Sequence, residues 1–348
     1  MREILPRLQL LNSRTSGPFA VFLPCEGLRG AALLRCYLLS RELQRLGWRC
    51  LVLSPKLKLW QRQRLLQQAR PDILFMQGAR HASNRPEFYP GQRIIYDMDD
   101  ADFFLPHLAG PVERAVPQVA GVIAGSRFIA DWCRARGAVA DVVWTGAPAS
   151  PRAHVPHDRR PPVVAWAQTR PMDYRREAEL VRSVMAQVVR RRPGARLRLY
   201  DRLPGDDPGF AGWFEAEGIP VEWCQRRSYR DYAGSLDDVS IGLAPLCPET
   251  PFSRGKSFGK VLAYLDRQVP VIGSDAGEHG AFFGPDTGVI SNNPGHWVDA
   301  AAGLLEDADA RSRISASAHR DFCARLSLPA TASRIDRVLR RHLGRKLP

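Results

Sequence analysis

The sequence predicts an α/β protein built from two doubly wound parallel sheets. In both halves of the 348-residue chain, apolar strand-like runs alternate with amphipathic helical segments, which is typical of parallel sheets covered by helices. A Pro- and Arg-rich stretch poor in apolar residues, 151–162, separates the halves and has the composition of a linker. We therefore predict an amino-terminal domain at 1–150, a carboxy-terminal domain at 163–330 and a basic amphipathic helix at 331–348.

Each predicted strand is a short apolar run, and each helix has apolar residues at helical spacing. The predicted strands are 18–24, 49–55, 72–78, 93–99, 120–126, 140–146, 163–168, 195–201, 220–225, 239–246 and 269–274. The main predicted helices are 30–48, 127–137, 174–194, 228–238, 259–268 and 295–307. No G-x-G-x-x-G follows the first strand, so the sequence does not favour a dinucleotide-binding domain.

Composition limits the partners and the setting of the protein. The net charge of +14 suits nucleic acid, an anionic membrane face or phosphate-bearing ligands. No block of five or six consecutive basic residues occurs, and we expect no nucleic acid partner. No apolar run is long enough to span a membrane, the first residues lack a secretory signal pattern, and the seven cysteines include no C-x-x-C pair. We therefore expect a cytoplasmic protein with reduced thiols and no zinc site.

The segment 254–260, RGKSFGK, contains the Gly-Lys-Ser that ends a P-loop. A P-loop also requires a glycine five residues earlier, where this chain has Thr250, and Pro248 and Pro251 remove backbone N–H donors. An ATP site of this type is therefore excluded. A helix beginning near Lys256 would still direct free N–H groups and a positive dipole at a diphosphate. The alternative is a capped helix with solvated basic residues.

The wider segment resembles the carboxy-terminal half of retaining, family-4-like GT-B glycosyltransferases. The matching residues are Lys256, Ser257, Lys260 and Tyr264, followed by the run 270–274, PVIGS. Weaker similarity extends over 25–31, 142–149 and 163–176. The resemblance implies a GT-B fold with two Rossmann-like domains and an interdomain cleft. It also implies a nucleotide-sugar donor in the second domain, a saccharide or lipid-linked acceptor in the first, transfer with retention, no cofactor and no bound divalent metal.

The resemblance and the local chemistry together give a set of candidate ligand contacts. We expect the donor diphosphate to meet Arg170, Arg175, Arg254, Lys256, Ser257 and Lys260. We expect the nucleobase to meet Arg227 and Tyr229, and the cleft loop after the first strand to include Gly27 and Gly30. Arginine suits bidentate contact with phosphate. For the arginines the alternative is a solvated helix start, and for Arg227 and Tyr229 it is a helix capped by Ser228.

Two positions depart from the resembled family. Its members carry glutamates where this chain has Gly255 and Ala263, and the second glutamate holds the ribose of the donor. An alternative function is therefore a non-catalytic GT-B scaffold that binds nucleotide sugars.

The run YDMDDADFF contains Asp97, Asp99, Asp100 and Asp102 directly after a predicted strand. In a GT-B protein, Asp97, Asp99 or Asp100 could act in catalysis by accepting the proton of an acceptor hydroxyl or by binding sugar hydroxyls. Asp97 and Asp99 also resemble the D-x-D metal motif of GT-A glycosyltransferases, so a metal-dependent GT-A-like transferase is a second alternative. The third is an Asp-rich helix cap or turn.

The segment 54–70 mixes lysine and arginine with leucines and Trp60. A basic helix with an interfacial tryptophan suits an anionic membrane face. We therefore expect peripheral contact with the inner membrane face, and the glycosyltransferase resemblance implies a role in cell-surface glycan synthesis there. The alternative is an amphipathic helix packed on the core with a solvated basic face.

Overall fold

The computed structural model describes residues 16–151 and 153–344. These residues divide into two compact units. The first contains the chain up to Ala147, the short segment Arg254–Ser257 and the residues from Leu326 onward, and the second contains Pro148–Ser253 and Phe258–Arg325. The sequence did not predict that Arg254–Ser257 would group with the first half of the chain.

The first unit is built on a six-stranded, all-parallel sheet with the order β2-β1-β3-β4-β5-β6. Its strands are β1 Phe19–Leu23, β2 Arg49–Val52, β3 Ile73–Gln77, β4 Ile94–Met98, β5 Gly121–Ala124 and β6 Ala140–Val142. All six predicted strands of this half are confirmed, each shortened by two to four residues at its ends. The order reverses between β1 and β3, so the topological switch point lies there.

The second unit has its own six-stranded parallel sheet, with the order β12-β11-β10-β7-β8-β9. Its strands are β7 Val163–Trp166, β8 Arg196–Arg202, β9 Val221–Gln225, β10 Ile241–Ala244, β11 Val271–Gly273 and β12 Val289–Ile290. The first five of these were predicted, and the two-residue β12 was not. Here the switch point lies between β7 and β10.

Helices connect the strands in both units. In the first unit they are Gly30–Ala32, a π-helical segment Leu33–Leu38, Leu39–Arg45, Leu59–Ala69, Pro106–Ala115, Arg127–Arg134 and Leu328–Leu343. In the second they are Arg175–Arg191, Gly209–Glu215, Tyr229–Gly234, Leu262–Asp266, His279–Phe282, Pro294–Glu306 and Ala308–Arg325. A further helix, Pro251–Arg254, belongs to the second unit except for its last residue, Arg254, which belongs to the first. Short 3₁₀ turns complete the connections.

Each sheet has its own apolar core. In the first unit Phe22, Phe75, Ile95 and Ile123 come from four neighbouring strands and pack with the carboxy-terminal helix. That helix buries Ile335, Val338, Leu339 and His342 along one face, as expected of an amphipathic helix. Residues 345–348 of the predicted helix lie outside the described residues. In the second unit, helices Arg175–Arg191 and Pro294–Glu306 pack on β7, β8 and β10. Burial on both faces is what parallel strands require.

Within the described residues, no helix has both the length and the apolar character needed to cross a membrane.

Candidate functional site

Parallel doubly wound sheets bind ligands beyond the carboxyl ends of their strands, near the switch point. In the first unit this edge carries the loops after β1, β3 and β4, which include Gly27, Arg80 and the run Asp99–Asp102. In the second unit it carries Thr169 and Arg170 after β7.

Asp97, the first candidate for catalysis, is fully buried at the end of β4. Arg35 lies on the π-helical segment and donates to both carboxylate oxygens, from Nε to Oδ2 at 2.8 Å and to Oδ1 at 3.1 Å. The same guanidinium donates to the Thr145 hydroxyl at 2.9 Å. Burial raises the pKa of Asp97, and the Arg35 charge opposes that rise. Because its carboxylate is closed to solvent, we correct the interpretation of Asp97 as a substrate contact and assign it to positioning Arg35.

Asp100 and Asp102 share the cation of Arg80, which follows β3. Arg80 donates from Nε to Asp102 at 2.9 Å and from Nη2 to Asp100 at 2.7 Å. Lys256 Nζ contacts the other oxygen of Asp100 at 2.7 Å. All of these groups belong to the first unit. The result is a continuous chain of opposite charges, Lys256–Asp100–Arg80–Asp102, at the carboxyl edge of the first sheet.

The two carboxylates of this chain titrate differently. Burial acts to raise the pKa of Asp100, but the Lys256 and Arg80 charges outweigh it and hold that pKa below its usual range. Burial raises the pKa of Asp102 to about 6, although Arg80 opposes the rise. Asp99 is half-buried, and among the described residues its carboxylate accepts no hydrogen bond. Asp99 is therefore the acidic candidate that is open to a ligand.

The expected helix start at Lys256 is wrong. The helix in this stretch begins at Leu262, and residues 255–261 are irregular backbone with turns at 255 and 259–261. The helix Pro251–Arg254 ends just before Gly255. Lys256 has no helix N-terminus behind it, and its charge is balanced by Asp100. Ser257 is half-buried, and Arg254 is exposed. The proposed mechanism of anion binding through a helix dipole is therefore not available to this stretch.

At the edge of the second sheet, Arg170 and Lys260 lie close to the end of β7. Lys260 Nζ donates to the Thr169 hydroxyl at 3.0 Å. The Arg170 backbone N–H donates to Asp201 at 2.9 Å, and Arg226 forms a two-pronged pair with the same carboxylate. Arg170 and Asp201 have φ values of +49° and +68°. Such left-handed backbone costs energy for residues other than glycine and concentrates at ligand-binding sites.

The other donor candidates of the second unit are placed differently. Arg175 is exposed, pairs with Glu179 at 3.0 Å and stacks on Trp213, with its guanidinium carbon 4.3 Å from the ring centre. Arg175 therefore faces the neighbouring helix Gly209–Glu215. Arg227 is exposed directly after β9, whereas the Tyr229 hydroxyl is buried without a hydrogen-bond partner. Of the two nucleobase candidates, only Arg227 is freely accessible in this structure.

The loop after β1 carries the two glycines that were predicted to line a cleft. Gly30 has a φ of +51°, and a Cβ at this position would lie 2.6 Å from a carboxylate oxygen of Glu26. Gly27 is half-buried, with open space where a side chain would project. Cys25 in the same loop donates its N–H to Gln77 at 3.1 Å. The loop is thus anchored to the end of β3, and Gly30 is needed for its shape.

The positions of the two absent glutamates are closed. A Cβ at Gly255 would lie 2.6 Å from the Ala101 side chain, and Ala263 is 2% exposed within the helix Leu262–Asp266. Tyr264, beside it, donates its hydroxyl to Ala165 at 3.0 Å and accepts from the Ala167 N–H at 2.7 Å. The helix that carries Ala263 therefore packs against β7 through Tyr264, at the place where a glutamate was expected.

Sequence reasoning missed Arg35, Arg80, Asp201 and Arg226. Each follows or faces a strand end, but a single arginine or aspartate in a basic chain carries no spacing signal. Arg80 had the strongest indication, because it stands three residues after β3 and faces the acidic run from the neighbouring strand.

The fold of the whole chain is similar to those of several solved structures. A sucrose-phosphate synthase from Thermosynechococcus elongatus matches with a TM-score of 0.72 and 12% identity, covering 93% of this chain and 98% of that chain. A glycosyltransferase from Rickettsia africae matches with a TM-score of 0.69 and 10% identity, covering 95% and 100%. HepE from Anabaena, in complex with UDP and glucose, matches with a TM-score of 0.64 and 15% identity, covering 93% and 100%.

The chain has the GT-B fold. The matched structures and the two parallel six-stranded sheets agree on this architecture. No family model and no curated protein matches the sequence, so the likeness concerns the fold.

The GT-B fold overturns the alternative of a GT-A-like transferase centred on Asp97 and Asp99, and the ion pair of Asp97 with Arg35 removes one of its two ligands. Among residues 16–151 and 153–344, no three His, Cys, Asp or Glu side chains form a group that could hold a metal ion. The seven cysteines all lie within the described residues, and none of them forms a disulfide there.

Proposed function

We propose that this protein is a glycosyltransferase that moves a sugar from a nucleotide-sugar donor to a saccharide or lipid-linked acceptor. The observation that carries the proposal is the pair of cations, Arg170 and Lys260, at the switch-point edge of the second sheet in a GT-B fold. Similar structures of HepE hold UDP and UDP-glucose, which supports a uridine nucleotide as the first donor to test.

In this proposal Arg170 and Lys260 contact the donor diphosphate. Lys256 remains a candidate for the diphosphate, but it would have to release Asp100 before it could bind phosphate. Arg227 remains the candidate for the base. Positive groups at these positions would stabilise the negative charge that develops on the leaving diphosphate. Asp99 is the proposed contact for acceptor hydroxyls. We propose retention of configuration and independence of metal, in line with the family resemblance.

Calorimetric titration with UDP, GDP, dTDP and CDP tests the proposal. We expect one of them to bind, and we expect the matching nucleotide sugar to be turned over when acceptors are supplied. Binding to none of the four nucleotides would sink the proposal. Activity that disappears in chelator and returns with manganese would contradict metal independence but leave sugar transfer intact.

A second candidate function is a non-catalytic GT-B protein that binds nucleotide sugars. The closed packing at Gly255 and Ala263 favours it, because these positions cannot accept the expected glutamates without moving Ala101 or the core. Binding of a nucleotide without turnover of any nucleotide sugar would support this function over the first.

We also propose peripheral contact with the anionic inner membrane face during cell-surface glycan synthesis. The helix Leu59–Ala69 buries Leu65 and Leu66 in the core, as the packing alternative requires, yet Trp60 is 54% exposed. Lys56, Lys58 and Arg64 are exposed around it. Co-sedimentation with phosphatidylglycerol vesicles should fall on Trp60→Ala, and equal sedimentation of both proteins would contradict the proposal.

A further inference from the structure

Four aromatic side chains of the first unit form a continuous cluster, which we call the aromatic shelf: Phe103, Phe104, Phe128 and Trp132. The rings of Phe103 and Trp132 are stacked at 3.9 Å with an angle of 5°. The Phe104 and Phe128 rings lie nearly parallel at 6.0 Å. Phe103 also contacts Phe104, with the ring centres 4.7 Å apart. The shelf joins two connections that leave neighbouring strands of one sheet.

Only part of the shelf faces solvent. Phe103 is buried, and Trp132 is covered on one face by Phe103 and approached by the Arg136 guanidinium at 3.7 Å. Phe104 is 39% exposed, and Phe128 is half-buried. Phe104 and Phe128 lie side by side and together offer a contiguous apolar surface, the kind of feature that marks a binding site. The accessible surface of the shelf is therefore that of Phe104 and Phe128 together with the part of the half-buried Trp132 that Phe103 leaves uncovered.

The shelf stands at the ligand-binding edge of the sheet. Phe104 ends the 3₁₀ turn Asp102–Phe104, which follows β4, and Phe128 lies in the first turn of the helix Arg127–Arg134, which follows β5. The two strands are paired in parallel register. Gly125 packs directly on the Asp99 backbone, since a Cβ at that glycine would lie 2.8 Å from the Asp99 Cα. The unbonded Asp99 carboxylate and the shelf are thus parts of one edge.

The local charge favours a neutral ligand. Asp100 and Asp102 pair with Lys256 and Arg80, whereas Asp99 pairs with no cation at hydrogen-bond distance among the described residues, and Arg35 and Arg80 lie only within electrostatic range of it. A carboxylate with no donor from the protein is ready to accept hydrogen bonds from a ligand. The ligand should therefore combine an apolar face with hydroxyl donors.

We infer that the aromatic shelf and Asp99 form a subsite for the pyranose ring of a neutral sugar. The C–H face of the ring would pack on Phe104 and Phe128, and its hydroxyl groups would donate to Asp99. As an acceptor subsite this inference rests on the proposed function. It names the class of acceptor, a neutral glycoside, and adds Phe104 and Phe128 to the residues that bind it.

Saturation-transfer NMR with methyl glycosides of glucose, galactose, mannose and N-acetylglucosamine tests the inference on the full chain. We expect transfer to ring C–H protons of at least one glycoside, and Phe104→Ala should weaken its binding about tenfold, the order of one aromatic contact. Phe104→Tyr should retain binding, because the ring remains, and Asp99→Asn should reduce it. Val139→Ala, at another exposed apolar position in the same unit, is the control and should change nothing.

Lack of transfer to all four glycosides, or equal transfer in wild type and Phe104→Ala, would overturn the inference. Since Phe104 is exposed, its variant should fold, and Phe128→Ala provides an independent second test. Nucleotide titration distinguishes a failure of this inference from a failure of the proposed function. UDP binding with no shelf-dependent sugar binding defeats only the subsite, whereas shelf-dependent sugar binding without nucleotide binding defeats only the transferase.

Discussion

The Arg35 guanidinium encloses the Asp97 carboxylate in the core of the first unit, with Nε 2.8 Å from Oδ2 and both side chains nearly inaccessible. Two charges removed from water cost free energy that only close pairing and further hydrogen bonds offset. The π-helical segment brings Arg35 to this position, and π-helical turns are frequent at functional sites. The pair fixes the end of β4, from which the acidic loop departs.

Removing one partner of this pair should be severe. Arg35→Met leaves the Asp97 charge buried and uncompensated, and we expect a loss of about 3–5 kcal/mol in the free energy of unfolding. Urea denaturation followed by circular dichroism measures it. Arg45→Met is the matched control, because the exposed Arg45 pairs with Glu42 at the surface, where an ion pair contributes about 1 kcal/mol or less. Similar losses in the two variants would contradict the structural role of Arg35.

Lys256 should contribute to nucleotide binding through its charge. We expect Lys256→Ala to weaken binding of the preferred nucleoside diphosphate about tenfold or more, the order of one hydrogen bond to a charged group. The variant should also raise the pKa of Asp100, which loses a cation. Calorimetry and carboxyl NMR measure the two effects. Lys58→Ala, exposed in the first unit, is the control. Unchanged nucleotide affinity with a raised Asp100 pKa would show that Lys256 serves the acidic loop alone.

The close packing of Gly255 can be tested by substitution, with the nearby Gly259 as the control position. A Cβ at this glycine would lie 2.6 Å from the Ala101 Cβ, so we expect Gly255→Ala to cost about 1–3 kcal/mol through overpacking. Gly259, four residues later, has open space around the same position, and Gly259→Ala should be tolerated. Thermal unfolding compares the two variants. Equal midpoints would mean that the segment Arg254–Ser257 does not pack as described.

Two buried histidines should make stability depend on pH. Burial lowers the pKa of His279 to about 4 and that of His157 to about 3. Their ring nitrogens contact the Ser274 carbonyl at 3.0 Å and the Ser315 hydroxyl at 2.9 Å. Because the unfolded chain binds these protons at higher pH, stability should fall as the pH falls from about 6.5 toward 4.

Denaturant unfolding at a series of pH values measures this dependence. His279→Gln should flatten it, whatever the variant does to stability at neutral pH, whereas the exposed His107→Gln should not. The raised pKa of Asp102, about 6, acts in the opposite direction, since the folded state then holds a proton that the unfolded chain releases nearer 4. Asp102→Asn should therefore steepen the loss of stability on acidification. An identical slope in all variants would contradict both assignments.

Most of the strands of this protein could be predicted from its sequence. Among the residues that the structure describes, eleven of the twelve strands follow from short apolar runs, and the two-residue β12 was too short to give a pattern. The resemblance of the segment around Lys256 and Tyr264 led to the GT-B fold, although the helix expected at Lys256 begins at Leu262. Turn residues and long-range packing, rather than helix propensity, decide that boundary.

The tertiary structure decided which charged residues are free. Arg35 and Asp97 are 62 positions apart, and Lys256 and Asp100 are 156 apart, so no local pattern could pair them. Periodicity reports only which face of an element is apolar, whereas pairing depends on the order of strands within a sheet. The packing of the π-helical segment and of Arg254–Ser257 against the end of β4 closed Asp97 and balanced Asp100, and it left Asp99 open beside the aromatic shelf. A charged side chain is paired or open according to the neighbours that folding brings to it, and these neighbours are distant in the sequence.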